Sequence, residues 1–225
     1  MNPLLRGSGA HVFVTDPAVP VLSTEDSHHL SRVLRLRDGE SVTCSDGRGS
    51  WRACTWSNGS LVPVGDVVHE PGTQPSLTVA VAPVKGDRTD LVVEKLVEIG
   101  IDSIVVLAPV ERSVVRWSAD RTVQVMDRYS RIVKAAAMQS RRVHLPVLSG
   151  PVALASVLAG GAAVAEPGGD APWEEVTTVI IGPEGGFAPS EIAPATLRVD
   201  LGPGILRAET AAIVAAARMV AHHRR

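Results

Sequence analysis

After the segment Glu70-Pro71-Gly72-Thr73-Gln74-Pro75, short apolar runs alternate with helix-length stretches, and this alternation restricts the chain to a sheet of mostly parallel strands covered by helices. Strand-like runs occupy residues 77–82, 104–107, 162–165, 179–181 and 197–201. Residues 87–99 read as a helix with Asp87 as N-cap and Gly100 just past its end, and residues 121–139 as a longer helix. An alanine-rich helix over residues 210–222 closes the series.

The preceding part follows another pattern. Val12-Phe13-Val14, Val42-Thr43-Cys44, residues 51–56 and residues 61–68 read as short strands. Asp46-Gly47-Arg48-Gly49 supplies a hairpin turn between two of them, because glycine tolerates positive φ. A short helix over residues 27–35 places Leu30, Val33 and Leu34 at helical spacing. This is the composition of a small β-barrel. The prolines and glycine at 71–75 mark a boundary, so domains at 1–72 and 73–225 are expected.

With 225 residues, 45% of them hydrophobic, the chain has material for real cores. Its net charge of −2 excludes a protein coated in positive charge, although nucleic-acid binding needs only a local basic stripe. Cys44 and Cys54 are the only cysteines, which excludes a disulfide framework or a cysteine-rich zinc site and fits a reducing compartment. No basic start leads into an apolar run, and the apolar stretch 211–217 stops at Arg218, too short to span a bilayer. A soluble cytoplasmic protein with no membrane or metal partner is expected.

In open α/β sheets, ligands bind beyond the carboxyl ends of the strands. Two glycine-rich loops stand there: Gly182-Pro183-Glu184-Gly185-Gly186 after the run 179–181, and Gly202-Pro203-Gly204 after the run 197–201. Neither continues into Lys-Ser/Thr and neither is a G-x-G-x-x-G fingerprint, which argues against a triphosphate or NAD site. The alternatives are two tight turns without a ligand, or neighbouring turns that hold a flat ligand by main-chain hydrogen bonds and apolar walls.

Two longer stretches carry a resemblance. Residues 181–187 with Glu191, and residues 201–211 including Ile205-Leu206-Arg207-Ala208-Glu209-Thr210, resemble the C-terminal motifs of the 16S rRNA uracil-N3 methyltransferases of the knotted SPOUT superfamily. The segment His28-His29-Leu30-Ser31-Arg32-Val33-Leu34-Arg35 is similar to the family's N-terminal motif. Lys85, Lys95, Glu98-Ile99-Gly100, Glu111-Arg112-Ser113 and Gln139-Ser140-Arg141-Arg142 match its middle segments. The family often has arginine where Gly204 stands and glutamate where Met138 stands.

The resemblance implies a PUA-like β-barrel joined to a trefoil-knotted α/β domain, acting as a homodimer on 16S rRNA or the small ribosomal subunit. It implies S-adenosylmethionine as cofactor, bound by Glu166, Gly182, Pro183, Glu184, Gly185, Gly186, Leu201, Gly202, Ile205, Leu206 and Thr210. Methyl transfer to N3 of uridine requires the imide proton to leave, so a cation near the ring oxygens favours the reaction. Arg207 is the candidate, with an ion pair to Glu209 or Glu184 as its alternative role; His144 is a weaker candidate base. Arg32, Arg35, Arg37, Arg112, Arg141 and Arg142 are candidate RNA contacts, and Arg121, Arg128 and Arg131 share roughly one helical face. Rival readings are a related enzyme acting on tRNA and a non-catalytic RNA-binding assembly protein.

Overall fold

The computed structural model describes residues 2–224, which divide into two compact units. One runs to Thr73 and includes Ala137–Leu145; the other comprises Gln74–Ala136 and Pro146 onward.

In the first unit, Asn2 caps α1 (Pro3–Gly7), and β1 (Ala10–Phe13) follows. The short helix α2 (Thr24–His28) starts earlier than its apolar spacing indicates, because the Ser23 hydroxyl accepts from Asp26 N and fixes the first turn. It then loosens into a π-helical turn at His29–Val33. Strands β2 (Ser41–Ser45), β3 (Ser50–Ser57) and β4 (Ser60–His69) complete a sheet of order β1-β2-β3-β4, with β1 parallel to β2 and the other pairs antiparallel. Val12, Leu30, Val42, Cys44, Cys54 and Trp56 form its core. Buried side chains of this size each contribute about 1.5–3 kcal/mol.

The β2–β3 turn forms as its residues dictate. Asp46 Oδ1 accepts from Arg48 N at 2.7 Å and Ser50 N at 3.1 Å, while Gly49 takes a φ of +104°. A Cβ on Gly49 would lie 2.3 Å from Glu70 O, so this position admits only glycine.

Residues 137–145 were expected with the C-terminal domain, yet they pack in the first unit. Val143 joins Leu5 and Trp51 in a buried cluster, and Met138 packs on the sheet core. His144 Nε2 meets Glu70 O at 2.8 Å. Arg141, at φ +60°, donates to Ser8 O at 2.9 Å, Gly9 O at 3.2 Å and Met138 O at 3.0 Å.

The second unit carries β5 (Thr78–Val81), α3 (Arg88–Ile99), β6 (Ser103–Leu107), α4 (Ala119–Gln139, whose end belongs to the first unit), β7 (Val147–Val152), α5 (Leu154–Ala159) and β8 (Ala163–Ala165). After a 3-10 turn at Trp173–Glu175 come β9 (Thr178–Ile181), α6 (Pro189–Ile192), β10 (Leu197–Val199) and α7 (Ala208–His223). The helix α3 ends at Gly100, which adopts φ +113°.

The sheet order is β10-β8-β9-β5-β6-β7, and every pairing is parallel. The edge strand β7 has no clear sequence signal, because Gly150-Pro151 interrupts it and its register on β6 shifts between Val105 and Leu107. Ala80, Leu107, Leu158, Val164, Ile180 and Ile192 form one of the buried clusters against this sheet.

Candidate functional site

The two glycine loops leave β9 and β10, which are not neighbours as expected: β8 lies between them. The loop after β8 therefore sits in the middle of the site. These three loops and the start of α7 line a cavity of about 630 Å³, within the range of small-molecule sites. Its apolar lining includes Ile181, Phe187, Ile192 and Leu206; its charged lining includes Glu166, Glu184, Asp200, Arg88, Arg112 and Arg207.

Most residues singled out from sequence converge here. Glu166, Gly182, Pro183, Glu184, Gly186, Leu201, Gly202, Ile205, Leu206 and Arg207 all line the cavity. Gly185 and Thr210 are not in its lining. Gly185 O instead accepts from Arg112 Nη1 at 3.3 Å, which joins this loop to the segment after β6. Ile205 is 95% exposed, unusual for an isoleucine.

Carboxylates hold the loops in place. Asp200 Oδ2 accepts from Gly168 N at 2.7 Å and Oδ1 from Gly202 N at 2.6 Å, so one side chain ties the β8 loop to the β10 loop. These backbone donors lower the Asp200 pKa from its ordinary value. Gly202 takes φ +138°, a conformation that suits glycine. Glu166 is paired with Arg198. Glu191 Oε2 accepts from Ala188 N at 2.8 Å and Oε1 from Glu111 N at 2.7 Å, which fixes the exit of the β9 loop.

Glu184 Oε1 accepts from Lys85 N at 3.1 Å and Arg88 Nη2 at 2.9 Å. Arg88 Nη1 also lies 3.5 Å from Glu209 Oε1. Both acids considered as partners of Arg207 are thus held by Arg88, and Arg207, at the N-cap of α7, is exposed and lines the cavity. Sequence reasoning missed Arg88 and Asp200; their only signal was position, beside β5 and at the end of β10.

A group with an aromatic ring system, hydroxyls and positive charge fits this lining: apolar walls, carboxylates, and glycines whose missing side chains leave open space at Gly186 and Gly202. Among the described residues no cluster of His, Cys, Asp or Glu is arranged to hold a metal ion. No helix among them is long and apolar enough to cross a membrane.

The basic residues of the first unit fall into two groups. Arg32, Arg35 and Arg37 are exposed. Arg141, a candidate RNA contact, donates from its guanidinium to main-chain carbonyls of Ser8, Gly9 and Met138. His144 bonds to Glu70 O within the first unit and is outside the cavity lining. Met138 packs against the sheet core of that unit, a task that suits its apolar side chain.

Comparison with known proteins agrees with this geometry. Residues 72–220 match the family model described as an RNA methyltransferase domain, and residues 22–55 the RNA methyltransferase PUA domain. The chain is 33% identical to the ribosomal RNA small subunit methyltransferase E of Mycobacterium bovis, over 88% of this chain and 84% of that one. It is 28% identical to the protein of the same name from Rickettsia conorii, over 89% and 88%. A methyltransferase from Legionella pneumophila, solved with bound SAM, superposes with a TM-score of 0.79 at 27% identity, covering 94% of this chain and 96% of that one. The Neisseria gonorrhoeae ribosomal RNA small subunit methyltransferase E shares the fold, with a TM-score of 0.76 at 24% identity over 94% and 97% of the two chains. With a methyltransferase model matching well over half of its length and a relative one-third identical, the chain belongs to the RNA methyltransferase family.

Proposed function

We propose that this protein transfers the methyl group of S-adenosylmethionine to N3 of a uridine in 16S rRNA, as a cytoplasmic homodimer. The observation that carries the reading is the cavity formed by the β8, β9 and β10 loops, because it gathers nearly all the residues that the family resemblance assigns to the cofactor. The relatives' names, ribosomal RNA small subunit methyltransferase E, support the rRNA substrate. The second unit, Gln74–Ala136 with Pro146 onward, would form the knotted catalytic domain and the first unit the RNA-binding one.

When bound, S-adenosylmethionine supplies an electrophilic sulfonium methyl group. Gly182, Gly186, Gly202 and the side chains of Ile181, Leu201 and Leu206 would hold it, with Glu166 and Asp200 offering acceptors to its polar groups. Positioning accounts for much of the rate, since a bimolecular step becomes effectively unimolecular. As N3 loses its proton, negative charge spreads onto the uracil ring oxygens, and Arg207 is the cation that would stabilise it. Its freedom from Glu184 and Glu209, both held by Arg88, supports this role.

Methyl incorporation into small-subunit rRNA and tRNA, assayed in parallel, tests the proposal. Label is expected in the rRNA, and Arg207→Ala is expected to lower kcat by about a hundredfold while leaving S-adenosylmethionine affinity within a fewfold. Label confined to tRNA would replace the substrate. Loss of cofactor binding in parallel with turnover would remove the catalytic role of Arg207.

A further inference from the structure

A second cavity, of about 400 Å³, opens in the same unit beside residues 84–87. Its lining includes Lys85, Asp87, Trp117, Arg121, Arg128 and Tyr129. Trp117 is partly exposed and stands edge-on to the buried Tyr129, with ring centroids 6.3 Å apart. Arg128 is neutralised by Asp90 at 2.8 Å and lies over the Tyr129 ring. Lys85 and Arg121 are exposed, and among the described residues neither side chain forms an ion pair with an acid. Arg121 reaches only the neutral Gln124, at 3.3 Å.

Consecutive residues of one segment line the two cavities. Lys85 lines the second cavity and donates its backbone N–H to Glu184, a lining residue of the first. Arg88 lines the first cavity and donates its Nε to Lys85 O at 3.1 Å. The segment after β5 thus contributes residues to the lining of both cavities.

We propose that the second cavity receives a nucleotide of the RNA substrate next to the one being modified, with its base against Trp117 and its phosphate between Lys85 and Arg121. This rests on the methyltransferase reading above and extends it to how the substrate is held. An indole face accepts any base, and unpaired cations accept the backbone phosphate, the combination by which single-stranded nucleic acid is gripped without reading sequence. Asp87 in the lining disfavours a bare inorganic anion and favours a ligand that brings hydroxyl or amino donors with its charge.

The test uses the full-length protein, deproteinised small-subunit rRNA and oligouridylate as probes, and calorimetric titration of S-adenosylmethionine alongside. Lys85→Ala/Arg121→Ala is expected to weaken binding of both RNAs and to reduce the slope of log affinity against log salt by about 0.7 per lost single-strand phosphate contact. Trp117→Ala is expected to cost about tenfold in RNA affinity, with Trp117→Phe restoring most of it. Cofactor affinity should stay unchanged in all three. Unaltered RNA affinity and salt slope in the charge variant would overturn the subsite, as would a variant whose only effect is to dissociate a dimer in sedimentation, which would make the cavity a protein interface. If the unaltered protein bound cofactor but methylated no RNA, the methyltransferase reading would itself fall and the subsite with it.

Discussion

Arg88 and Glu184 are joined at 2.9 Å, so the start of α3 is fastened to the glycine loop that follows β9. The same guanidinium approaches Glu209 in the first turn of α7. One arginine therefore sets the spacing of two walls of the cavity and keeps their acids away from Arg207. Arg88→Met is expected to lower S-adenosylmethionine affinity by about tenfold, because two charged loop anchors are released together. Titration calorimetry measures this, and a change confined to kcat would show that Arg88 does not organise the cofactor loops.

Asp200 performs the matching task on the other side. Its carboxylate accepts from Gly168 N and Gly202 N and so ties the β8 loop to the β10 loop. Asp200→Ala should weaken cofactor binding more than Asp200→Asn, which keeps one acceptor oxygen. Because backbone donors lower the Asp200 pKa, the carboxylate stays ionised below the usual range, and its contribution is lost only as pH falls through that lowered value. Cofactor affinity that falls off around neutral pH in the unaltered protein and stays level in Asp200→Asn would contradict this account.

Much of the site was legible in sequence because glycine loops after apolar strands announce themselves. The hairpin at Asp46–Gly49 was legible for the same reason, since side-chain and backbone requirements coincide in a few consecutive residues. Three features were not. The position of β8 between β9 and β10 is a matter of strand order, which hydrophobic periodicity does not encode. The strand β7 is masked by Gly150-Pro151. The assignment of residues 137–145 to the first unit depends on Arg141 meeting carbonyls of Ser8 and Gly9, more than a hundred residues away in the chain. Asp200 and Arg88 were overlooked because a charged residue beside a loop has no local signature until its partners are in place.

His11 gives a prediction for stability. It is 2% exposed, with Nδ1 2.8 Å from the Thr43 hydroxyl and Nε2 3.0 Å from that of Ser45. Burial, followed by the nearby Arg141 charge, lowers its pKa to about 4. The unfolded chain protonates His11 near pH 6.5, so its neutral form supports the fold fully above that value. Stability is lost as pH falls from about 6.5 to about 4, by an amount on the order of 3 kcal/mol. Urea unfolding of the first unit's signals at pH 7.5 and 4.5 should show this loss, and His11→Gln should show much less of it. An equal loss in both proteins would place the pH sensitivity elsewhere.

In the proposed reaction, Arg207 and the three-loop cavity direct a methyl group to the uracil imide nitrogen. Small-subunit rRNA incubated with the protein and isotopically labelled S-adenosylmethionine, digested to nucleosides and resolved by mass spectrometry, examines it directly. Labelled 3-methyluridine is the expected product. Label recovered as a 2′-O-methyl nucleoside, or on a base other than uracil, would contradict it.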